Sequence, residues 1–433
     1  MSVRVKVIDI ELSHQLEDHL DLEGFTAAHV LVRLHGTPIG LVKMPLRNGP
    51  LTASALMEAI LDRHSEAILR HHLTDALSMS PSGRLSLEDL FKVAHDYRAV
   101  RQPLVSVAVC SRDRTDDLRR CLDSLRRLDY PDLQLLVVDN SPTADSTRNM
   151  VRAEYPEAEY FCEPRPGLNW ARNRAIEEAR GEIIAYIDDD AVADTRWVSA
   201  LSRIFTEDPS VMAVTGLVVP YELETGAQTL FERYGGFGRG FHRRWYRVDG
   251  RSGELAATRY AGAGMFGTGT NMAYRLSVFD LIGRFDPALD VGTVTNGGGD
   301  LEMFFRVLKE GHMLVYEPGA VVRHRHRREY SQLRTQLTNN GIGLYSYLTR
   351  SAIEYKDERA ALIKMGIWWF WWWNLRRLLI SFLRPGRFPR DLILAELRGS
   401  LTGLSRYRKA RRIAARISDS FLPRAETEES TPR

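Results

Sequence analysis

Three consecutive carboxylates, Asp188-Asp189-Asp190, close a strand-like run that begins at Gly181. Like charges a few ångströms apart oppose one another's ionisation, so a cation among them is the usual remedy. Oxygen-only ligands suit a hard ion, Mg2+ or Mn2+, and such ions commonly join a carboxylate to a diphosphate. A solvated turn that caps the next helix is the plainer alternative. Other acidic groups recur at comparable places: Asp113 follows the apolar run Leu104 to Cys110, and Asp139 follows Leu133 to Val138. Further on, Asp300 heads an amphipathic stretch carrying Leu301, Phe304, Phe305 and Leu308. His324 and His326 alternate in a basic run after Met313 to Val322, and share one side of that strand if it persists.

The segments between these residues must position them. Asp117 to Leu128 has helical spacing, with Leu118, Cys121, Leu122 and Leu125 on one face, and Ala171 to Ala179 is a second helix. Strands alternating with such helices predict an α/β fold with a mostly parallel central sheet, whose ligands gather at the strand C-terminal ends. Asp113, Asp139 and Asp188 to Asp190 would then face one crevice.

With 433 residues, 44% of them hydrophobic, the chain can build a core plus appendages. Residues 1–98 are expected to form a small α+β module of open role, for docking, oligomerisation or structure alone. There Val3, Val5 and Val7 alternate with charges, His29 to Leu34 and Ile39 to Met44 flank a turn at His35 to Pro38, and helical spacing runs from Ala53 to Leu77. Arg98 to Pro103 is expected to be a linker to the sheet-bearing domain, 103–330. A helical extension, 331–418, and a disordered tail, 419–433, follow.

The net charge of +3 conceals an imbalance, because residues 363–416 hold 13 Lys/Arg against 2 Asp/Glu. Five of the eight tryptophans fall between Trp368 and Trp373, but Asn374, Arg376 and Arg377 interrupt the run before it reaches the length of a membrane span. Two readings stay open: an in-plane helix on an anionic membrane surface, or packing on protein. The three cysteines fit no zinc or disulfide framework, and the N-terminus alternates like a strand instead of following the plan of a signal peptide. A reducing cytoplasm is the simplest setting, with the cytoplasmic membrane face as the peripheral variant.

Val107-Ala-Val-Cys-Ser-Arg-Asp-Arg114, Val137-Val-Asp-Asn-Ser141, Pro166-Gly-Leu-Asn-Trp-Ala-Arg-Asn173 and Ile187-Asp-Asp-Asp-Ala191 resemble, in order and spacing, the successive signatures of family-2 glycosyltransferases. With Gly262 to Tyr274 and Asn296 to Arg306, the resemblance extends from about Val105 to Arg328. It implies a Rossmann-like GT-A fold, a nucleoside-diphosphate sugar donor, a Mg2+ or Mn2+ ion, and inversion at the anomeric carbon. Ser111 and Asp113 would lie in the nucleotide-contacting loop, Asp139 would accept from the base, and Arg172 and Asn173 would flank base and diphosphate. Within the Asp-X-Asp motif, Asp188 would meet the ribose side and Asp190 the metal, with Asp189 toward the sugar. Asn271, in the glycine-dense approach to a helix near Arg275, would touch the donor sugar. Asp300 would be the general base, with Glu302 as its stand-in, and His324 or His326 would complete the metal site. Local alternatives remain, namely a turn at Asp139, a surface ion pair at Arg172, a tight glycine loop before Asn271 and an N-cap at Asp300. Gly-Gly-Gly-Asp stands where many members carry a Glu-Asp pair.

The expected function is sugar transfer to an acceptor hydroxyl, with a lipid-linked acceptor following from the membrane reading and nucleic acid not among the partners. A protein that binds nucleotide sugar, or acts as a scaffold, without turnover is the rival. Nucleotidyl transfer would require a Gly- and Lys-rich loop where this chain has Cys110-Ser-Arg-Asp-Arg114. No series of spanning segments follows the catalytic region, which argues against a polymer-extruding synthase.

Overall fold

The computed structural model describes residues 4–46, 50–79, 102–248, 261–384 and 388–421. The expected linker and tail fall mainly outside those residues.

The N-terminal module is a three-stranded sheet, β1 (Val5–Glu11), β2 (Ala27–Leu34) and β3 (Thr37–Pro45), with the helix α1 (Ala53–Met79). It is joined to the rest by charge and backbone. Arg33 bridges Asp9 and Asp194 at 2.8 Å each, Arg323 reaches Asp9, and the Val5 N–H donates to the Leu223 carbonyl at 2.8 Å.

The main domain continues through β4 (Val105–Ser111), α2 (Thr115–Leu125), β5 (Leu133–Asn140), α3 (Ser146–Glu154), β6 (Ala158–Glu163), α4 (Leu168–Glu178) and β7 (Ile183–Asp188). These strands pair in parallel in the order β7-β4-β5-β6. Their side chains alternate between two cores: Val105, Val107 and Val109 pack with Leu118 of α2, while Ala108, Leu136 and Tyr186 pack with Ala171 of α4. Helices cover both faces, so β4, β5 and β7 are largely buried and read as mainly apolar runs, while β6 at the sheet edge is half-buried and carries Glu159.

Beyond β7 come β8 (Ala191–Ala193), α5 (Trp197–Glu207), β9 (Val211–Pro220), α6 (Gly226–Tyr234), β10 (Arg244–Tyr246) and β11 (Asn271–Arg275). The domain closes with α7 (Val278–Ile282), α8 (Gly299–Lys309) and β12 (Met313–His324). Here the sheet becomes mixed, for β11 runs antiparallel to both β7 and β9, and β12 lies parallel to β9. The helix expected near Arg275 starts instead at Val278. Asn271 to Arg275 enter the gap between two strands, pairing with β7 along their whole length and with β9 from Met272 to Tyr274.

The C-terminal extension is helical: α9 (Tyr330–Glu354), α10 (Arg359–Trp368), a π-helical turn (Trp369–Leu375), α11 (Arg376–Leu383) and α12 (Arg390–Ser420). Helices α9 and α12 touch backbone to backbone, since a Cβ on Gly399 would run into the Thr338 carbonyl and one on Gly403 would lie 2.7 Å from the Ile342 carbonyl. The opposite side of α9 presses on the loop before α8: a Cβ on Gly343 would stand 2.8 Å from the Gly297 backbone, and one on Gly298 would collide with the Gly343 carbonyl.

Candidate active site

Strand register assembles the carboxylates. Cys110 pairs with Val138 on one side and Asp188 on the other, and Ser111 pairs with Asp139, so Asp139, Ser111 and Asp188 end neighbouring strands. Asn271 lies opposite Ile187, which sets Thr270 beside Asp188, and its hydroxyl donates to Asp188 Oδ2 at 2.5 Å. The preceding residue, Gly269, donates its N–H to Asp300 Oδ2 at 2.8 Å. Adjacent residues of one loop therefore hold Asp188 and Asp300.

After the acidic triplet, β8 returns antiparallel to the end of β12 with Ala191 opposite His324, and the Arg325 N–H donates to the Asp190 carbonyl at 3.0 Å. This register sets His324 Nε2 3.2 Å from Asp190 Oδ1. Asp188, Asp190 and His324 each present a ligand atom within 4.8 Å of the others. Arg114 spans Asp189 Oδ1 at 2.6 Å and Asp190 Oδ2 at 2.9 Å, and the Ser111 hydroxyl donates to Asp189 Oδ2 at 2.8 Å. Arg327 stands 3.4 Å from Asp190.

The two buried carboxylates are driven apart. Burial pushes Asp189 upward despite Arg114, with Asp190 adding repulsion. Burial also opposes charge on Asp190, but His324, Arg114 and Arg327 outweigh it and hold Asp190 well below the usual carboxylate range. Burial disfavours the His324 proton, yet the Asp190 contact prevails and raises His324 above its ordinary value. Behind it, His324 Nδ1 meets His326 Nδ1 at 3.1 Å, and His326 Nε2 meets Glu232 Oε1 at 2.8 Å. Burial lowers His326. One proton arrangement satisfies the whole chain, with neutral His326 donating to Glu232 and accepting from protonated His324, which donates to Asp190. Phe237 packs edge-on against both rings.

Asp300 is the second residue of α8, and the N-cap position belongs to Gly298. Its Oδ1 accepts from the Leu301 N–H at 2.9 Å. Burial raises its carboxyl, Asp290 adds to that, and Arg172 pulls the other way. Arg172 is buried, donating to Asn169 at 3.0 Å and Asp290 at 2.5 Å over the Phe285 ring. Asp139 is fully buried. Tyr160 donates to its Oδ2 at 2.9 Å, while its Oδ1 has no hydrogen-bond partner among the described residues.

Several sequence candidates are engaged inside the protein. Asn173 grips both backbone groups of Phe285, and Asn271 accepts from Trp197 and donates to the Leu217 and Ala320 carbonyls. Glu302 is buried between Arg306 and Arg350. Asp113 lies exposed, with φ of 53°, accepting from the Thr143 N–H at 3.0 Å. His326 faces Glu232 and is not part of the Asp188/Asp190/His324 group. Four participants escaped the sequence reading: Arg114, Thr270, Asp290 and Glu232. Arg114 alone left a trace, as the second arginine after the first strand.

Residues 106–283 match the profile of the family described as glycosyl transferase family 2. The chain is 28% identical over 122 residues to a glucosyl-dolichyl phosphate glucuronosyltransferase of Haloferax volcanii, covering 27% of this chain and 38% of that protein. It is 27% identical over 198 residues to polypeptide N-acetylgalactosaminyltransferase 13 of Rattus norvegicus, covering 42% and 33%. The matches thus span about a third of the length of these relatives. A mannosyltransferase of Pyrobaculum calidifontis, solved in complex with GDP-Man and Mn2+, aligns over 84% of this chain and 96% of its own with 18% identity and a TM-score of 0.45.

Proposed function

The chain carries a family-2 glycosyltransferase domain, and from that premise we propose that it moves a sugar from a nucleoside diphosphate to an acceptor hydroxyl with inversion. One observation carries the proposal: a single loop, through Gly269 and Thr270, holds the candidate base Asp300 beside the metal-ligand group of Asp188, Asp190 and His324.

The donor set suits Mg2+ or Mn2+, being two carboxylates and one imidazole. The layer behind it suits an ion as well, because His324 can give up its Nε2 proton while Nδ1–H stays on His326. Asp188, Asp190 and His324 would hold the ion, which would neutralise charge on the departing diphosphate. Arg114 and Arg327, both already on Asp190, add positive charge on the same side. Asp139, with a buried oxygen unpartnered, is the acceptor for an N–H of the base.

Asp300 takes the acceptor's proton as the acceptor oxygen bonds to the anomeric carbon and the carbon–phosphate-oxygen bond breaks. Its raised pKa makes it a stronger base than an exposed aspartate. Asn173, Asn271 and Glu302 act on this reading as braces that fix the surrounding loops, and Ser111 and Asp189 set the orientation of Arg114.

The acceptor side is read from the extension. Ile363, Ile367, Trp371, Trp372, Leu379 and Phe382 are all more than half exposed along 359–383. Asn374 is buried and Arg377 stacks over Tyr234 and Trp373, so two of the three polar interruptions turn inward, while Arg376 stays exposed over Trp372. No helix among the described residues is long and apolar enough to cross a membrane. An in-plane seat on an anionic membrane fits an apolar ridge beside so many cations, and would bring a lipid-linked acceptor to the crevice.

Turnover of a panel of nucleotide sugars with Mn2+ tests the reaction. Loss of transfer in both Asp190→Asn and Asp300→Asn is expected, and full activity in either would remove the role given to that residue. Binding of nucleotide sugar with no transfer to any acceptor would favour the scaffolding alternative.

A further inference from the structure

A second convergence of ligand atoms lies in the N-terminal module, away from the carboxylate crevice. His35 Nδ1, His71 Nε2 and Asp75 Oδ2 form a nearly equilateral triangle with sides of 3.3, 3.4 and 3.0 Å. His35 comes from the turn between β2 and β3. His71 and Asp75 are four residues apart on α1 and so share a face. Around a tetrahedral ion with bonds of about 2.0–2.1 Å, neighbouring ligand atoms stand roughly 3.3 Å apart. The triangle is close to one face of that tetrahedron.

Hydrogen bonds among the three explain the triangle less well. If both rings donate to Asp75, two N–H groups oppose one another 3.3 Å apart. If one ring donates to the other, its single proton on that nitrogen cannot also serve the carboxylate. A cation at the centre lets both imidazoles be neutral and all three lone pairs point inward.

The turn is built to aim the ring. His35 has φ of 54°, a left-handed conformation that a non-glycine residue holds only when its surroundings enforce it. Glu11 accepts from the N–H groups of His35 and Gly36 at 2.9 and 2.7 Å, Arg33 donates to the Gly36 carbonyl at 3.2 Å, and Arg196 donates to the His35 carbonyl at 2.7 Å. The three ligating side chains are 8%, 14% and 16% exposed. His72 stands beside them, its ring edge-on to His35 at 5.4 Å.

We propose that His35, His71 and Asp75 form a zinc site, with a water or further side chain completing the tetrahedron. Two imidazoles and one carboxylate select Zn2+, or Co2+ in its place, over the Mg2+ and Mn2+ suited to the crevice. The ion ties α1 to the hairpin turn and, through the Arg196 contact with His35, stiffens the seat of the module on the start of α5.

The test uses the full chain carrying Asp188→Asn and Asp190→Asn, so that the crevice does not compete, stripped with a chelator and titrated with Zn2+ and then Co2+. Expected are about one zinc per chain retained through desalting, a raised Tm and the strong visible absorption of tetrahedral Co2+, all lost in His71→Ala and Asp75→Ala. Zinc retention unchanged by those substitutions, or no zinc retained by the parent, overturns the site. Should the substituted chains fail to fold, the parent's Co2+ spectrum decides alone, with weak octahedral absorption or none counting against it.

Discussion

At the scale of residues, Asp300 and Asp290 make a pair with a definite sign. Burial and Asp290 both raise the Asp300 carboxyl, so the protonated, inactive form persists to higher pH than for an exposed aspartate. Activity should fall as pH drops through that raised value. Asp290→Asn removes the repulsion and frees Arg172 to act on Asp300, so the acid limb of the rate profile should move to lower pH. A limb left in place would show that Asp300 is not the titrating base. Asp300→Asn should reduce kcat by about 10²–10⁴-fold and also lower Tm, because the two oxygens accept from Gly269 and Leu301 and the amide keeps only one of them. His324 carries the opposite linkage: its pKa is raised, its proton must leave before a metal binds, and affinity should rise with pH up to about tenfold per unit below that pKa. Calorimetric Mn2+ titrations between pH 5.5 and 8, roughly spanning the ordinary histidine range, should show that slope in the parent and lose it in His324→Gln. Asp139 and the Asp188 triplet were legible because each follows an apolar run, and Asp300 because it heads an amphipathic stretch. Asp290, Thr270 and Glu232 were not, because their partners are set by register and loop path: Thr270 meets Asp188 only through the pairing of Asn271 with Ile187.

At the scale of elements, the glycine run before Asp300 is a packing device. Gly298 takes φ of 92° against the Gly343 carbonyl, and a Cβ on Gly299 would run into Asn169 and Asp290. Helix α9 thereby presses the start of α8 onto the Arg172 cluster, and the position of Asp300 depends on a helix outside the matched family region. Gly343→Ala should destabilise the protein by about 1–3 kcal/mol, seen as a lower denaturant midpoint, and reduce kcat more than it changes donor binding. A purely structural role would lower the midpoint and leave kcat alone. The helices with a clear apolar stripe, α2 and α8, were legible from spacing. Strand β11 was hidden because its glycine-rich approach resembles a helix entrance, and only the two flanking strands reveal why Asn271 to Arg275 extend.

At the scale of the whole molecule, three parts of the chain converge on one group of carboxylates. Asp194, four residues after Asp190, is held by Arg33 of the N-terminal module, while α9 presses on the Asp300 loop from the C-terminal side. A module that looks separable in sequence thus grips the segment that follows the candidate metal-ligand group. The exposed ridge of Trp371, Trp372 and Phe382 belongs to this scale too. Flotation with vesicles rich in phosphatidylserine should recover the protein at low salt and lose most of it in Trp371→Ser/Trp372→Ser, with recovery falling as salt rises. Equal recovery with neutral vesicles would contradict an electrostatic contribution, and no recovery at all would end the membrane reading.

The central claim is that Asp188, Asp190 and His324 hold a divalent ion which in turn holds a diphosphate. Calorimetry with each nucleoside diphosphate, in the presence of Mn2+ and after chelation, addresses it most directly. One diphosphate should bind tightly with Mn2+, weaken at least about tenfold on chelation, and lose that difference in Asp190→Asn. Metal-independent binding in the parent, or an undiminished Mn2+ response in Asp190→Asn, would contradict it.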